Sequence, residues 1–178
     1  MTGPAKTGPS RSCVVGCVLA LLGCTALGMI ILVLDEREGN MKAACLGNQR
    51  ALATALQLYL SDWGEFPVAH RWCDQLSPYV AESPLAAEGG AFRCPAAANQ
   101  QCSYALNSAL SGVKAAAVAR ENESSMERTV GIFESDVGWN SAGGPGLLPD
   151  RPRHIGGDNY AFPDGHAAWF ARMLGRGS

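Results

Sequence analysis

Six side chains in the C-terminal third could be gathered for chemistry: Glu134, Asp136, His154, Asp158, Asp164 and His166. Imidazole nitrogens suit transition metals, and carboxylates suit hard cations or proton transfer. Neither His154 nor His166 has a partner at i+2 or i+4, so no single element carries a chelating pair. Glu134 and Asp136, two apart, would share one face of a strand, as carboxylates on solvated edges often do. Asp164 stands in Pro-Asp-Gly, where a carboxylate ordinarily bonds local amides within a turn. His154, before Ile-Gly-Gly, is expected to pack and hydrogen-bond to a carboxylate such as Glu134. The sequence holds no G-x-S-x-G, no H-E-x-x-H, no Cys/His/Asn arrangement at protease spacing and no phosphate-binding glycine loop. Structural roles are therefore expected for this set, and an enzyme is not.

The seven cysteines form two groups. Cys13, Cys17 and Cys24 lie in an apolar run, where thiols behave as small apolar side chains. Cys45, Cys73, Cys94 and Cys102 lie beyond it, with 27, 20 and 7 residues between successive members. There is no C-x-x-C among these four, so neither a zinc ribbon nor a thioredoxin-like motif is indicated. Four cysteines allow three disulfide pairings, and spacing does not choose between them.

The elements that must position these groups begin with the run from Cys13 to Leu34, 22 uncharged residues. As a helix it would be about 33 Å long, enough for a hydrocarbon core of about 30 Å. It is too long for the apolar region of a cleaved secretory signal, and Asp35-Glu36 follows with no small-x-small site before it. Leu21-Leu22-Gly23-Cys24 is similar to a lipobox, but the TALGMIILVL that follows is too apolar for a soluble tether. Lys6 and Arg11 precede the run without an acid, and DERE follows it. Basic flanks stay cytoplasmic, which predicts a cytoplasmic segment 1–12, a transmembrane helix 13–34 and an extracytoplasmic domain 35–178. Gly16, Ala20, Cys24 and Gly28, with Cys13 and Cys17, share a helical face of small residues that suits close packing in lipid.

From Met41 to Trp63 the pattern is that of an amphipathic helix, with Cys45, Leu52, Leu56, Tyr59, Leu60 and Trp63 on one side. Asn48, Arg50, Gln57 and Asp62 lie elsewhere. Gly64 is a natural C-cap, Pro67 prevents continuation, and Gly39-Asn40 is a candidate kink. Residues 72–80 read as a short helix closed by Pro78. Residues 91–95 and 103–107 read as extended pieces, and 129–136 as a strand. The stretch 113–120 fits helix or strand, and 137–153 reads as a loop. NYAF-PDG-HAAWF is a hairpin, with Pro163 setting φ and Gly165 accepting positive φ. Net charge is −2 without a basic patch, which argues against a nucleic-acid partner.

Five stretches carry a family resemblance: CLGNQRALATALQLYLSDWGEFP, WCDQLSPYV, FRCP, SYALN, and His154, nine residues, then Asp164-Gly165. In this order they resemble the type IV pilin-like proteins of the type II secretion pseudopilin kind, within the bacterial subgroup whose C-terminal domain carries H-x9-DG. The resemblance covers roughly residues 41–170. It implies an α+β fold in which a long N-terminal helix, half transmembrane and half amphipathic, packs on a small antiparallel sheet. It also implies a single-pass inner-membrane protein whose partners are the membrane and other pilin-like subunits or secretion-system components. No cofactor is implied, apart from calcium: related pseudopilins hold it through loop oxygens, here Asp158 or Asp164 with His166 nearby. The subgroup's usual cysteines, at the positions of Cys45 and Cys94, imply Cys45–Cys94 and Cys73–Cys102 disulfides, with Cys94–Cys102 as the rival. The departure is N-terminal. The family's cleavage motif and its conserved Glu would fall near Val14, where the chain reads PSRSCVVGC. Without that carboxylate, nothing in the span offsets desolvation of a neighbour's ammonium group. The alternative function is a membrane-tethered module that binds carbohydrate or an envelope partner through the 137–157 loop, using Trp139, Asn140 and Arg153.

Overall fold

The computed structural model describes residues 11–81, 90–97, 99–120 and 125–172, leaving aside the side chains of 11–18 and 81. Cys13, Gly16 and Cys17, half of the expected small-residue face, thus have side-chain positions outside the described residues. The chain divides into two compact units, Met1–Gly39 and Asn40–Ser178. Helix α1, Arg11–Trp63, contributes residues to both, and it is helical through Gly39-Asn40.

In the first unit α1 is long and apolar enough to cross a membrane by length and composition, with a mean hydropathy of 2.0. Its large apolar side chains from Leu19 to Leu34 are each 53–68% exposed. The Thr25 hydroxyl donates to the Leu22 carbonyl at 2.9 Å, which satisfies the one hydroxyl among them.

In the second unit the same helix forms the centre of the core. Cys45, Leu52, Leu56, Tyr59 and Leu60 are buried, as the apolar pattern predicts. Trp63 is not: it is 64% exposed, and its indole N–H donates to the Tyr79 hydroxyl at 3.0 Å. Asn48 and Gln49 are buried too: Asn48 Nδ2 donates to the Arg93 carbonyl at 2.5 Å, and Gln49 Nε2 to the Asn159 carbonyl at 3.2 Å. Gly64 ends the helix at φ +68°, and its N–H bonds to the Leu60 carbonyl at 2.9 Å.

Helix α2, Trp72–Ala81, contains Pro78 instead of ending at it. Leu76 and Val80, on either side, are buried, and this packing holds the turn together despite the missing N–H. The five strands are β1 Tyr104–Asn107, β2 Ile132–Glu134, β3 Ala142–Gly143, β4 Gly157–Ala161 and β5 Ala167–Ala171, in the order β3-β1-β2-β4-β5. The sheet is mixed, not purely antiparallel. β3 lies parallel to β1, pairing Leu106 with Ala142 and Asn107 with Gly143. The fold is therefore α+β, with a long apolar N-terminal helix and a five-stranded mixed sheet.

Other expectations also change. Residues 91–95 are not extended; a turn leads through Cys94 into a 3-10 turn, Pro95–Ala97. The 137–153 segment, read as a loop, supplies β3 and a 3-10 turn, Pro145–Leu147. Residues 113–120 resolve as a short helix α3, Ala115–Ala119, followed by α4, Ser125–Arg128. The β4–β5 hairpin forms as the Pro-Asp-Gly signal predicts, with Gly165 at φ +96°.

A buried cysteine–histidine–glutamate cluster

Cys45, Cys94, Glu134 and His154 come together inside the second unit although no two of them share an element. Cys45 lies on the core face of α1, and Cys94 follows the turn before Pro95–Ala97, where its carbonyl accepts from Ala97 N at 2.9 Å. Glu134 ends β2, and its side chain points into the core because Ile132 and Glu134 share the strand's inner face. His154 forms an isolated bridge to Gly157 at the start of β4, with Gly157 N donating to its carbonyl at 2.9 Å. Gly157 also permits the close pairing of β4 with β5; a Cβ there would meet the Phe170 carbonyl and stand 2.6 Å from Trp169 Cε2.

All four side chains are fully buried. Cys45 Sγ, Cys94 Sγ and a ring nitrogen of His154 lie within 4.8 Å of one another. Cys94 Sγ is 3.3 Å from His154 Nε2, and the same nitrogen is 3.5 Å from Glu134 Oε1. The Cys45 thiol donates to Glu134 Oε1 at 3.3 Å, which leaves the Tyr104 hydroxyl, 3.2 Å from Cys45 Sγ, as the donor of that pair. Asn159 holds Glu134 Oε1 from the other side, through Nδ2 at 2.9 Å and its backbone N–H at 3.3 Å. Gln49 Nε2 in turn donates to the Asn159 carbonyl at 3.2 Å, which explains why a polar residue faces inward from α1. Glu134 Oε2 is buried with no hydrogen-bond partner.

The electrostatics follow from this crowding. Cys94 beside it, and next burial, push the Cys45 thiol up; Cys45, followed by His154, holds Cys94 down against its own burial. Burial raises the Glu134 carboxyl, offset in part by His154. Burial also holds Tyr104 well above the ordinary phenol value, so it remains a neutral donor. A nucleophile, a base and an acid are present here, but complete burial of all four side chains leaves a substrate no access to them. The donor set is that of a closed centre: two sulfurs, one imidazole nitrogen and one carboxylate oxygen.

The expected cation ligands are occupied elsewhere. Asp158 pairs with Arg172 through two bonds of 2.6 Å, Nε to Oδ2 and Nη2 to Oδ1. Asp164 Oδ1 accepts from His166 N at 3.2 Å and lies 2.6 Å from His166 Nδ1, a local turn arrangement. Among the described residues, Asp158, Asp164 and His166 are not gathered as one group of ligands. The contacts assigned to the alternative binding loop are likewise engaged within the chain. Trp139 Nε1 and Asn140 Nδ2 donate to the two Asp74 oxygens at 2.9 and 2.7 Å. Arg153, whose side chain is 6% exposed, donates to the carbonyls of Ser103 and Ser135 and to Asp136 Oδ1.

The disulfides that the resemblance implies are not formed. Among the described residues Cys24, Cys45, Cys73, Cys94 and Cys102 are free thiols. Cys73 and Cys102 do face one another, with sulfurs 3.8 Å apart against about 2.05 Å for a bond. Sequence reasoning named Cys45, Cys94 and His154 separately and placed Glu134 beside His154. The single cluster was missed because its donors are scattered from residue 45 to residue 154, and only the chain's path brings them together. No family model matches the chain, and no curated protein or solved structure matches it either.

Proposed function

We propose that this chain is a membrane-anchored, pilin-like structural protein of a cell-envelope or secretion assembly, anchored in the inner membrane with residues 35–178 outside. One observation carries the reading: a single helix, α1, presents an exposed apolar surface over Leu19–Leu34 and supplies the buried core of an α+β unit over Cys45–Leu60. Exposed apolar side chains on a helix of this length are stable in lipid and not in water. Such a protein would hold its head at the membrane surface and meet its partners through the helix. Of the expected packing face, Ala20 and Cys24 are exposed and Gly28 is half-buried. Oxidative cross-linking in native membranes tests the reading, using a Cys13→Ser/Cys17→Ser variant so that Cys24 is the one thiol left in the span. A Cys24-linked dimer is expected, with the head degraded by protease added from the extracytoplasmic side. Extraction of the protein by alkaline carbonate, or a protease-sheltered head, overturns it. The carbohydrate-binding alternative loses support because Trp139, Asn140 and Arg153 are held by Asp74, Asp136 and backbone carbonyls.

A further inference from the structure

We propose that Cys45, Cys94 and His154, with Glu134 beside them, form a closed structural site for one zinc ion. The inference goes beyond the anchoring role and does not depend on it. Two observations carry it: the spacing of the donors and an orphaned oxygen.

In a tetrahedral zinc site, with metal–sulfur bonds of about 2.3 Å and metal–nitrogen or –oxygen bonds of about 2.0 Å, neighbouring donors stand about 3.3–3.8 Å apart. Here Cys94 Sγ to His154 Nε2 is 3.3 Å, Cys45 Sγ to Glu134 Oε1 is 3.3 Å, and His154 Nε2 to Glu134 Oε1 is 3.5 Å. Three of the six donor–donor edges thus have the lengths of such a polyhedron, and Cys45 Sγ, Cys94 Sγ and the His154 nitrogen all lie within 4.8 Å of one another. Ordinary core packing has no need to bring two sulfurs, an imidazole and a carboxylate to one point.

Glu134 Oε2 is completely buried and, among the described residues, accepts no hydrogen bond. A carboxylate oxygen in that condition is costly unless a cation or donor meets it. Oε1, at the distances given above, would complete the coordination while Asn159 steadies it, and an ion there would also offset the burial of Oε2.

Thiolates exclude calcium and magnesium, which take oxygen ligands, and a sulfur–nitrogen–oxygen set of this shape suits zinc. On binding, the Cys45 and Cys94 thiols give up their protons to solvent, and no electrons move. The ion would tie α1 to the Cys94 turn, to β2 and to the start of β4.

The test uses the full chain, purified in detergent without added metal. Elemental analysis is expected to find zinc equimolar with protein. Replacement of the metal by Co2+ is expected to give the intense visible bands of a tetrahedral site and a thiolate-to-cobalt charge-transfer band, which reads the ligands directly in the unmutated chain. Glu134→Gln should weaken zinc affinity by about 10- to 100-fold, Cys94→Ser should abolish stoichiometric retention, and Cys73→Ser should retain the metal in full. Four results overturn the proposal: a Cys45–Cys94 disulfide in non-reducing peptide maps, copper in place of zinc, cobalt spectra without thiolate bands, or no retained metal with both thiols free.

Discussion

At Gly165 the backbone sits at φ +96°, and an added Cβ would stand 2.6 Å from Gln57 Oε1 on α1. A β-branched residue resists that conformation, so Gly165→Val should destabilise the head by about 1–3 kcal/mol. Chemical denaturation monitored by circular dichroism measures the loss, and an unchanged midpoint would contradict the turn assignment. Asp74 offers a second test at this scale. Hydrogen bonds donated by Asn140, and then by Trp139, hold its carboxyl below the ordinary value. A carboxyl depressed by folding adds stability that is fully present above its unfolded value of about 3.9, and this is lost as pH falls through the folded value. The Trp139 indole N–H resonance should therefore shift with the Asp74 titration in acid and become insensitive to it in Asp74→Asn; a resonance that ignores the titration in both proteins contradicts the contact. Asn140 itself sits at φ 55°, a conformation asparagine tolerates, because its side chain bridges Cys73 N and Asp74.

Among the elements, the hairpin was legible because its signal is local. Pro163, Asp164 and Gly165 impose the turn whatever surrounds them. The core face of α1 was legible from Cys45 to Leu60 for a similar reason, since a 3.6-residue period needs no partner to be read. Pro78 was misread as a stop because packing of Leu76 and Val80 outweighs one lost hydrogen bond. β3 was hidden for another reason: two residues in a parallel pair have no pattern of their own. The cysteines test how elements meet. With Cys73 Sγ 3.8 Å from Cys102 Sγ, a small disulfide oxidant should join these two, taking up two electrons and two protons. Peptide mapping after such treatment is expected to find Cys73–Cys102; recovery of Cys94–Cys102 would contradict the observed packing. The buried ion pair that ties β4 to Arg172 is a further element-level contact. Asp158→Asn leaves the guanidinium without its anion and should cost about 3 kcal/mol of stability by denaturant titration.

At the scale of the whole molecule, the lipid-compatible surface and the folded head make separate demands. Leu19–Leu34 needs a membrane or a partner to cover it, and none of the described residues of its own unit does so. If spans pack through the small-residue face, Gly16→Leu combined with Ala20→Leu should weaken self-association several-fold in a membrane reporter assay, without changing the head's denaturation midpoint. Equal reporter signal would mean that the face is incidental. Loss of both properties would mean that the substitutions disturb the head as well as the span, and would not isolate the packing face.

The residues alone determined an apolar span, an amphipathic continuation and a β-hairpin, because each is written in neighbours a few positions apart. They also offered Glu134 as one carboxylate that a packed His154 could meet. What only the tertiary structure decided was the meeting of Cys45, Cys94, Glu134 and His154, four donors from four places along the chain. The inward turn of Asn48 and Gln49 was decided there as well. Such contacts depend on how strands and helix are stacked, and no local period, cap or turn residue records that arrangement.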